Sequence, residues 1–364
     1  MKTITSIALA ISVIILLSIS QAKAQTIEQL NREISQLRQN LKDQRHTYDM
    51  IIKKTDDLMW HKILGETAYV DKVRLTGPPR WKPLKEDDRF AANPLQFYCY
   101  VFIPKNVDPN QKYPLIVLPH SGIHADFSTY YAHIVKELIA QQYIVVSAEY
   151  RGSTGYGKGT YQNIDYGGLE NEDVLASRDY MVENYSIVDE NRIGIIGWSH
   201  GGMISLMNIL RYPNKYNVAF AGVPVSDLEN RLASHDQSYT AYFTPEYHIG
   251  QSIQDNPEEY KRRSPSSYAS KLEKPLLIHT NTNDNDVYVQ EVIAMIDSLE
   301  KHDRVFEYKI FQNKAGGHGF DRIDTKEATE IRYTIYKFLE KYLNPSKPFT
   351  NHQEMRRSAY FFAK

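Results

Sequence analysis

From residue 95 onward, short apolar runs rich in β-branched and aromatic residues alternate with amphipathic helical patterns. That alternation leaves few folds open. Strands that each return through a helix build a mostly parallel sheet, covered by helices on both faces. The runs at 95–103, 113–118, 144–150, 192–197, 219–225, 275–280 and 306–311 read as strands. Helical patterns occupy 129–141, 170–184, 200–211, 287–301 and 326–343. One interruption, from 227 to about 268, is rich in Tyr, Ser and charged residues. It is too long for a plain connector and reads as a small cap or pocket wall.

The N-terminus has a different character. Lys2 precedes an almost wholly apolar run at 4–19, and Ala22-Lys23-Ala24 offers a small-residue cleavage site before Gln25. This is the pattern of a secretory signal peptide over 1–24, with an export destination outside the cytoplasm, periplasmic or secreted. Retention of the segment as an anchor is the other outcome the pattern allows. Residues 25 to about 60 read as one polar helix whose apolar positions advance by alternating steps of three and four. Ile27, Leu30, Ile34, Leu37, Leu41, Tyr48, Ile51 and Leu58 form the seam, interrupted by Gln44 and Thr55. Such a stripe either packs on its own domain or pairs with a second copy as a dimerising coiled coil. The chain thus divides into 1–24, a helical extension at 25–66 and a main α/β domain at 67–364. The proline-rich stretch from Gly77 to Pro83 reads as the loop joining the extension to the region of alternating strands and helices.

Charge and cysteine content narrow the partners. Loss of Lys2 and Lys23 with the leader would take the formal net charge from −1 to −3, and no basic run tracks a phosphate backbone. Nucleic acid is therefore not an expected partner. Cys99 is the single cysteine, so no disulfide forms within the chain despite the expected export.

The chemistry concentrates around residue 199. A buried strand, Ile193-Gly194-Ile195-Ile196, runs into Gly197-Trp198-Ser199-His200-Gly201-Gly202 and then into a helical pattern. A serine hydroxyl needs a base on it, and a tight strand-to-helix turn lifts it clear of the sheet. Glycines at 197 and 201 suit the crowding of strand against helix at such a turn. The context predicts an α/β-hydrolase fold with Ser199 as nucleophile and the backbone N–H of His200 as an oxyanion donor. The acid and base should follow in chain order. The turn after strand 275–280 holds Asp284 and Asp286, which compete for the acid. His318 sits in Gly316-Gly317-His318-Gly319 after the last strand and is the expected base. No metal or organic cofactor is needed for this chemistry. Gly152 to Gly159 matches neither phosphate-loop pattern, and Asn281 to Asp286 lacks the ligand spacing of a calcium loop.

At these residues the chain resembles the catalytic domain of the prolyl oligopeptidase family of serine peptidases, from about 95 to 343. Gly197-Trp198-Ser199-His200-Gly201-Gly202 is similar to the family's G-W-S-Y-G-G, and Tyr150 to Gly157 resembles its Y-R-G-S-x-G-Y-G loop. Ser264-Pro265 resembles the S-P ahead of the acid-bearing strand. The family's D-x-x-V pattern implies Asp284, with Val287, as the acid. His120-Ser121-Gly122-Ile123 stands where the family often has H-G-G-P, which implies a second oxyanion donor near Ser121 and Gly122. The role of the His120 imidazole is left open. By position, Leu228 and Arg231 stand where relatives line the primary substrate pocket. About 70 residues precede the similar region, too few for the family's β-propeller. The expected activity is hydrolysis of short peptides, with a carbohydrate or small-ester esterase as the alternative, because one acyl-enzyme serves both.

Overall fold

The computed structural model describes residues 2–82 and 92–360, with side chains from Gln25 onward and at Gln21 and Lys23. The side chains of the apolar segment 4–19 and of Ala22 and Ala24, as well as Pro83, lie outside the described residues, and with them the leader and cleavage-site reading. Among the described residues no helix is long and apolar enough to cross a membrane.

Helix α1 runs from Lys2 to Leu64 and is followed by strands β1 (Ala68–Gly77), β2 (Leu95–Pro104) and β3 (Tyr113–Val117). Helix α2 (Ala132–Ala140) leads to β4 (Ile144–Glu149), α3 (Gly157–Tyr161) and α4 (Glu170–Asn184). Then come β5 (Val188–Trp198), α5 (His200–Arg211), β6 (Val218–Gly222), α6 (Leu228–Ser234) and α7 (Pro257–Arg262). The chain closes with β7 (Leu276–Asn281), α8 (Val289–Lys301), β8 (Glu307–Phe311), α9 (Lys326–Leu343) and α10 (His352–Ala359).

The eight strands form one sheet in the order β1-β2-β4-β3-β5-β6-β7-β8. β1 pairs with β2, and β2 with β4, antiparallel; all other neighbours are parallel. The central strands β3, β4, β6 and β7 are buried at every residue, which is why they read as continuous apolar runs rather than alternating ones. Two apolar cores flank the sheet. One holds Val117, Ile195 and Met203, and the other holds Ile116, Ile196 and Leu339.

All seven expected strands are present, and β1 is an eighth. Asp71, Lys72 and Arg74 lie within it, and as an edge strand it is half-buried or exposed between its buried ends, so it lacks the apolar run that marks the central strands. The stretch after Gly77 therefore joins two strands of one sheet rather than an extension to a domain. Arg151 clasps this loop, donating to the carbonyls of Pro78 and Pro79 while pairing with Asp173. The segment from 227 to 268 is a compact helical insertion carrying α6 and α7 between β6 and β7.

Helix α1 reaches the domain through its C-terminal half. Trp60 is fully buried, stacked on Phe127 at 5.3 Å with Phe102 beside it at 5.0 Å. Lys53, buried on the same face, pairs with Glu149 at 2.6 Å and Asp126 at 2.9 Å. Gly155 makes room for it: at φ +83° it is left-handed, and a Cβ there would stand 2.6 Å from Lys53 Cβ. That close approach is one physical use of the glycines between 150 and 157.

Candidate active site

Strand β5 ends at Trp198, and α5 begins at His200, so Ser199 occupies the single residue between strand and helix. Its φ of 56° and ψ of −122° fall outside the ordinary regions for a side-chain-bearing residue, a strain concentrated at functional turns. The sharp bend presses strand on helix. A Cβ on Gly197 would lie 2.3 Å from the Gly201 carbonyl oxygen, and one on Gly201 would lie 2.4 Å from that of Pro119. The Ser199 N–H donates to Gly222 O, fixing the bend to the neighbouring strand. Trp198, just ahead of it, donates from Nε1 to the buried Asp321 carboxylate at 2.7 Å.

The turns after β7 and β8 converge on the same end of the sheet. His318 Nδ1 lies 2.7 Å from Asp284 Oδ2. The other oxygen of Asp284 accepts from the backbone N–H groups of Asp286 and Val287, so the carboxylate is held at both ends. Asp286 faces the opposite edge of the ring, its Oδ2 3.7 Å from Nε2. An imidazole held at Nδ1 by a buried carboxylate offers Nε2 as a base. Of the two competing carboxylates, the structure joins Asp284 to Nδ1. It gives Asp286 to Arg231, whose guanidinium donates to it at 2.8 Å. Burial works to raise the Asp286 carboxyl, but the charges of His318 and Arg231 outweigh it and hold it below its usual range.

The loop at 120–122 lies against the start of α5. The Ser121 N–H donates to the Tyr131 hydroxyl at 2.7 Å, so that amide is already engaged and is not the free donor expected of it. Gly122, at φ +76°, is left as the loop's candidate. The His120 imidazole turns away into the interior. It stacks on Tyr150 at 4.1 Å and bonds Ser153 through Nε2, and burial pushes its pKa down to about 3. It braces the loop rather than facing a substrate. His200, first residue of α5, is also buried, edge-on to Tyr166 and with Nε2 3.4 Å from Glu170.

The two pocket expectations change character. Leu228 is fully buried among the core residues, so it supports α6 from beneath instead of lining an open pocket. Arg231 is 3% exposed and bonds Tyr239, Asp286 and Glu291, which makes it a brace between α6, α8 and the acid turn. Three residues with no single-sequence signal also belong here. Arg322 donates to Ser121 Oγ and to the His318 carbonyl, tying the oxyanion loop to the histidine loop. Tyr131 holds Ser121, and Tyr239 bonds both Arg231 and Tyr166. Arg322 and Tyr239 join segments distant in sequence, and Tyr131 folds its loop back on itself over ten residues; no local pattern announces such contacts.

A mostly parallel eight-stranded sheet with a strained serine after its fifth strand, and an Asp–His pair after its seventh and eighth, defines an α/β-hydrolase. The chain belongs to the prolyl oligopeptidase family, whose pattern it matches over residues 129–346. It is 28% identical over 221 residues to the uncharacterized peptidase YuxL of Bacillus subtilis, covering 60% of this chain and 33% of that protein. To the acylamino-acid-releasing enzyme of Sus scrofa it is 27% identical over 229 residues, covering 59% and 29%. The chain thus spans about a third of the length of the curated relatives it matches. Among solved structures, a puromycin-hydrolyzing peptidase of Mycobacterium tuberculosis superposes with a TM-score of 0.63 at 22% identity, over 77% of this chain and 40% of that one. The acylaminoacyl peptidase of Pyrococcus horikoshii gives 0.62 at 20%, over 81% and 45%.

Proposed function

We propose that this chain is an exported serine peptidase that cleaves short peptides through an acyl-enzyme on Ser199. The observation that carries the reading is the Asp284–His318 hydrogen bond at the sheet end where the Ser199 turn opens. In this scheme His318 Nε2 takes the Ser199 proton as Oγ attacks the carbonyl carbon. Asp284 steadies the imidazolium that results. The backbone N–H groups of His200 and Gly122 receive the oxyanion. His318 then returns the proton to the leaving amine, and water repeats the cycle on the acyl group. The peptide preference rests on kinship with proteins named acylamino-acid-releasing enzyme and dipeptidyl aminopeptidase. Export rests on the basic, apolar and small-residue order of residues 1–24.

A fluorophosphonate probe should label the wild type and leave Ser199→Ala unlabelled. Peptide anilides and acetyl esters assayed side by side then separate amide from ester chemistry. Turnover of esters alone would replace the peptidase reading with an esterase. An exported form with its N-terminus at Gln25 supports the leader; an intact N-terminus in the membrane fraction removes it.

A further inference from the structure

We infer that α1 pairs with the same helix of a second copy as a parallel two-stranded coiled coil, through the seam from Ile27 to Leu58. The helix carries two opposed faces. The one holding Lys53, Trp60 and Leu64 is buried on its own domain. The seam points away, and its eight apolar side chains are between 44% and 72% exposed. An intramolecular helix has no reason to keep so long an apolar stripe in water, since single exposed apolar residues are common but continuous patches mark interfaces. At 1.5 Å per residue the stripe is about 47 Å long.

Its composition selects the partner. With Ile27 at a, the a positions continue through Ile34, Leu41 and Tyr48, and the d positions hold Leu30, Leu37, Ile51 and Leu58. β-branched residues at a with Leu at d, as in the first two heptads, favour two parallel strands. Lys53 and Trp60 both fall at f, opposite the seam, so docking on the domain leaves a and d free and sets the two domains on opposite sides of the coil. The flanks are complementary in the same register. Glu33 at g meets Arg38 at e of a parallel mate, and Arg38 has no side-chain partner within its own chain among the described residues. Gln44 at d and Thr55 at a are polar layers of the kind that fix register at some expense of stability.

The test uses the full chain as recovered from the expressing cell. Sedimentation velocity should give twice the chain mass, and Ile34→Lys/Leu37→Lys should give the single-chain mass with unchanged helicity of the domain. Glu33→Arg alone and Arg38→Glu alone should each raise the dimer dissociation constant several-fold, while an equimolar mixture of the two pairs preferentially as a heterodimer. Leu37→Cys should form a disulfide with its own mate under mild oxidation, since the natural Cys99 is buried. A monomeric or trimeric wild type overturns the inference. So does a mixture of the two charge variants that pairs no better than either alone, or a Leu37→Cys chain that fails to cross-link, as antiparallel helices would.

Discussion

Asp284 holds His318 at Nδ1 over 2.7 Å while its other oxygen is fixed by two backbone N–H groups, so the ring's edge is set by the chain turn itself. Asp286 approaches the ring only at 3.7 Å and is drawn off by Arg231. Asp284→Asn should therefore lower kcat on the order of 10³–10⁴-fold, the scale expected when a triad imidazole loses its tautomer partner. Asp286→Asn should cost far less. Steady-state hydrolysis of the best substrate by both variants decides this, and a larger loss at 286 would reverse the assignment.

Lys53 is the anchor of α1. Burial alone would lower its ammonium, but the charges and hydrogen bonds of Glu149 and Asp126 outweigh that and hold it above its ordinary value of 10.5. Its stabilising contribution is accordingly complete below about pH 10.5 and declines only as pH rises through the raised folded value. Lys53→Met strands a buried Glu149 carboxylate and should cost about 3–5 kcal/mol. Lys53→Met/Glu149→Gln removes that stranded charge and should recover much of the loss. Denaturant midpoints at neutral pH measure both, and equal losses in the single and double variants would show that the charge pair is not the source.

Acid should weaken the fold through buried histidines. His279 sits between Phe220 and Phe311, at 5.2 and 5.1 Å, and burial pushes its pKa down to about 3, with Lys309 adding to the effect. The unfolded chain binds a proton there as pH falls through about 6.5, and the folded chain does not until about pH 3. Stability should thus be lost on acidification across that window, by about 1.4 kcal/mol per pH unit for such a group. His279→Phe should flatten the slope by about that amount between pH 6 and 4. An unchanged slope would mean that the native chain protonates His279.

The sequence carried the sheet and the Ser199 turn because both impose local rules. Central strands buried on both faces must be apolar throughout, and a strand-to-helix bend this sharp excludes Cβ atoms at 197 and 201. Edge strand β1 escaped because charged residues fall on both of its faces, Asp71 on one and Lys72, paired with Asp57 of α1, and Arg74 on the other. The competition between Asp284 and Asp286 was narrowed by family pattern rather than by spacing, since both lie in one turn. Arg231 and Leu228 could be placed near the site but not oriented. Whether a side chain faces substrate or core depends on packing between α6, α8 and the acid turn, which no local run of residues encodes.

The oxyanion loop offers the last discriminating substitution. With the Ser121 amide committed to Tyr131, the second donor of the proposed mechanism is the Gly122 amide, in a turn that demands φ +76°. An added Cβ would also stand 2.8 Å from that of Ala125. Gly122→Ala should therefore displace the amide, lowering kcat on the order of 10²–10³-fold with KM little changed, as for loss of one oxyanion donor. The same crowding should reduce stability by about 1–3 kcal/mol. Tyr131→Phe is the partner experiment. It releases the Ser121 N–H without touching Gly122, so it should cost about 1 kcal/mol in stability and much less in kcat. If Gly122→Ala retains full kcat while Tyr131→Phe raises it, the second donor is the released Ser121 amide and not that of Gly122.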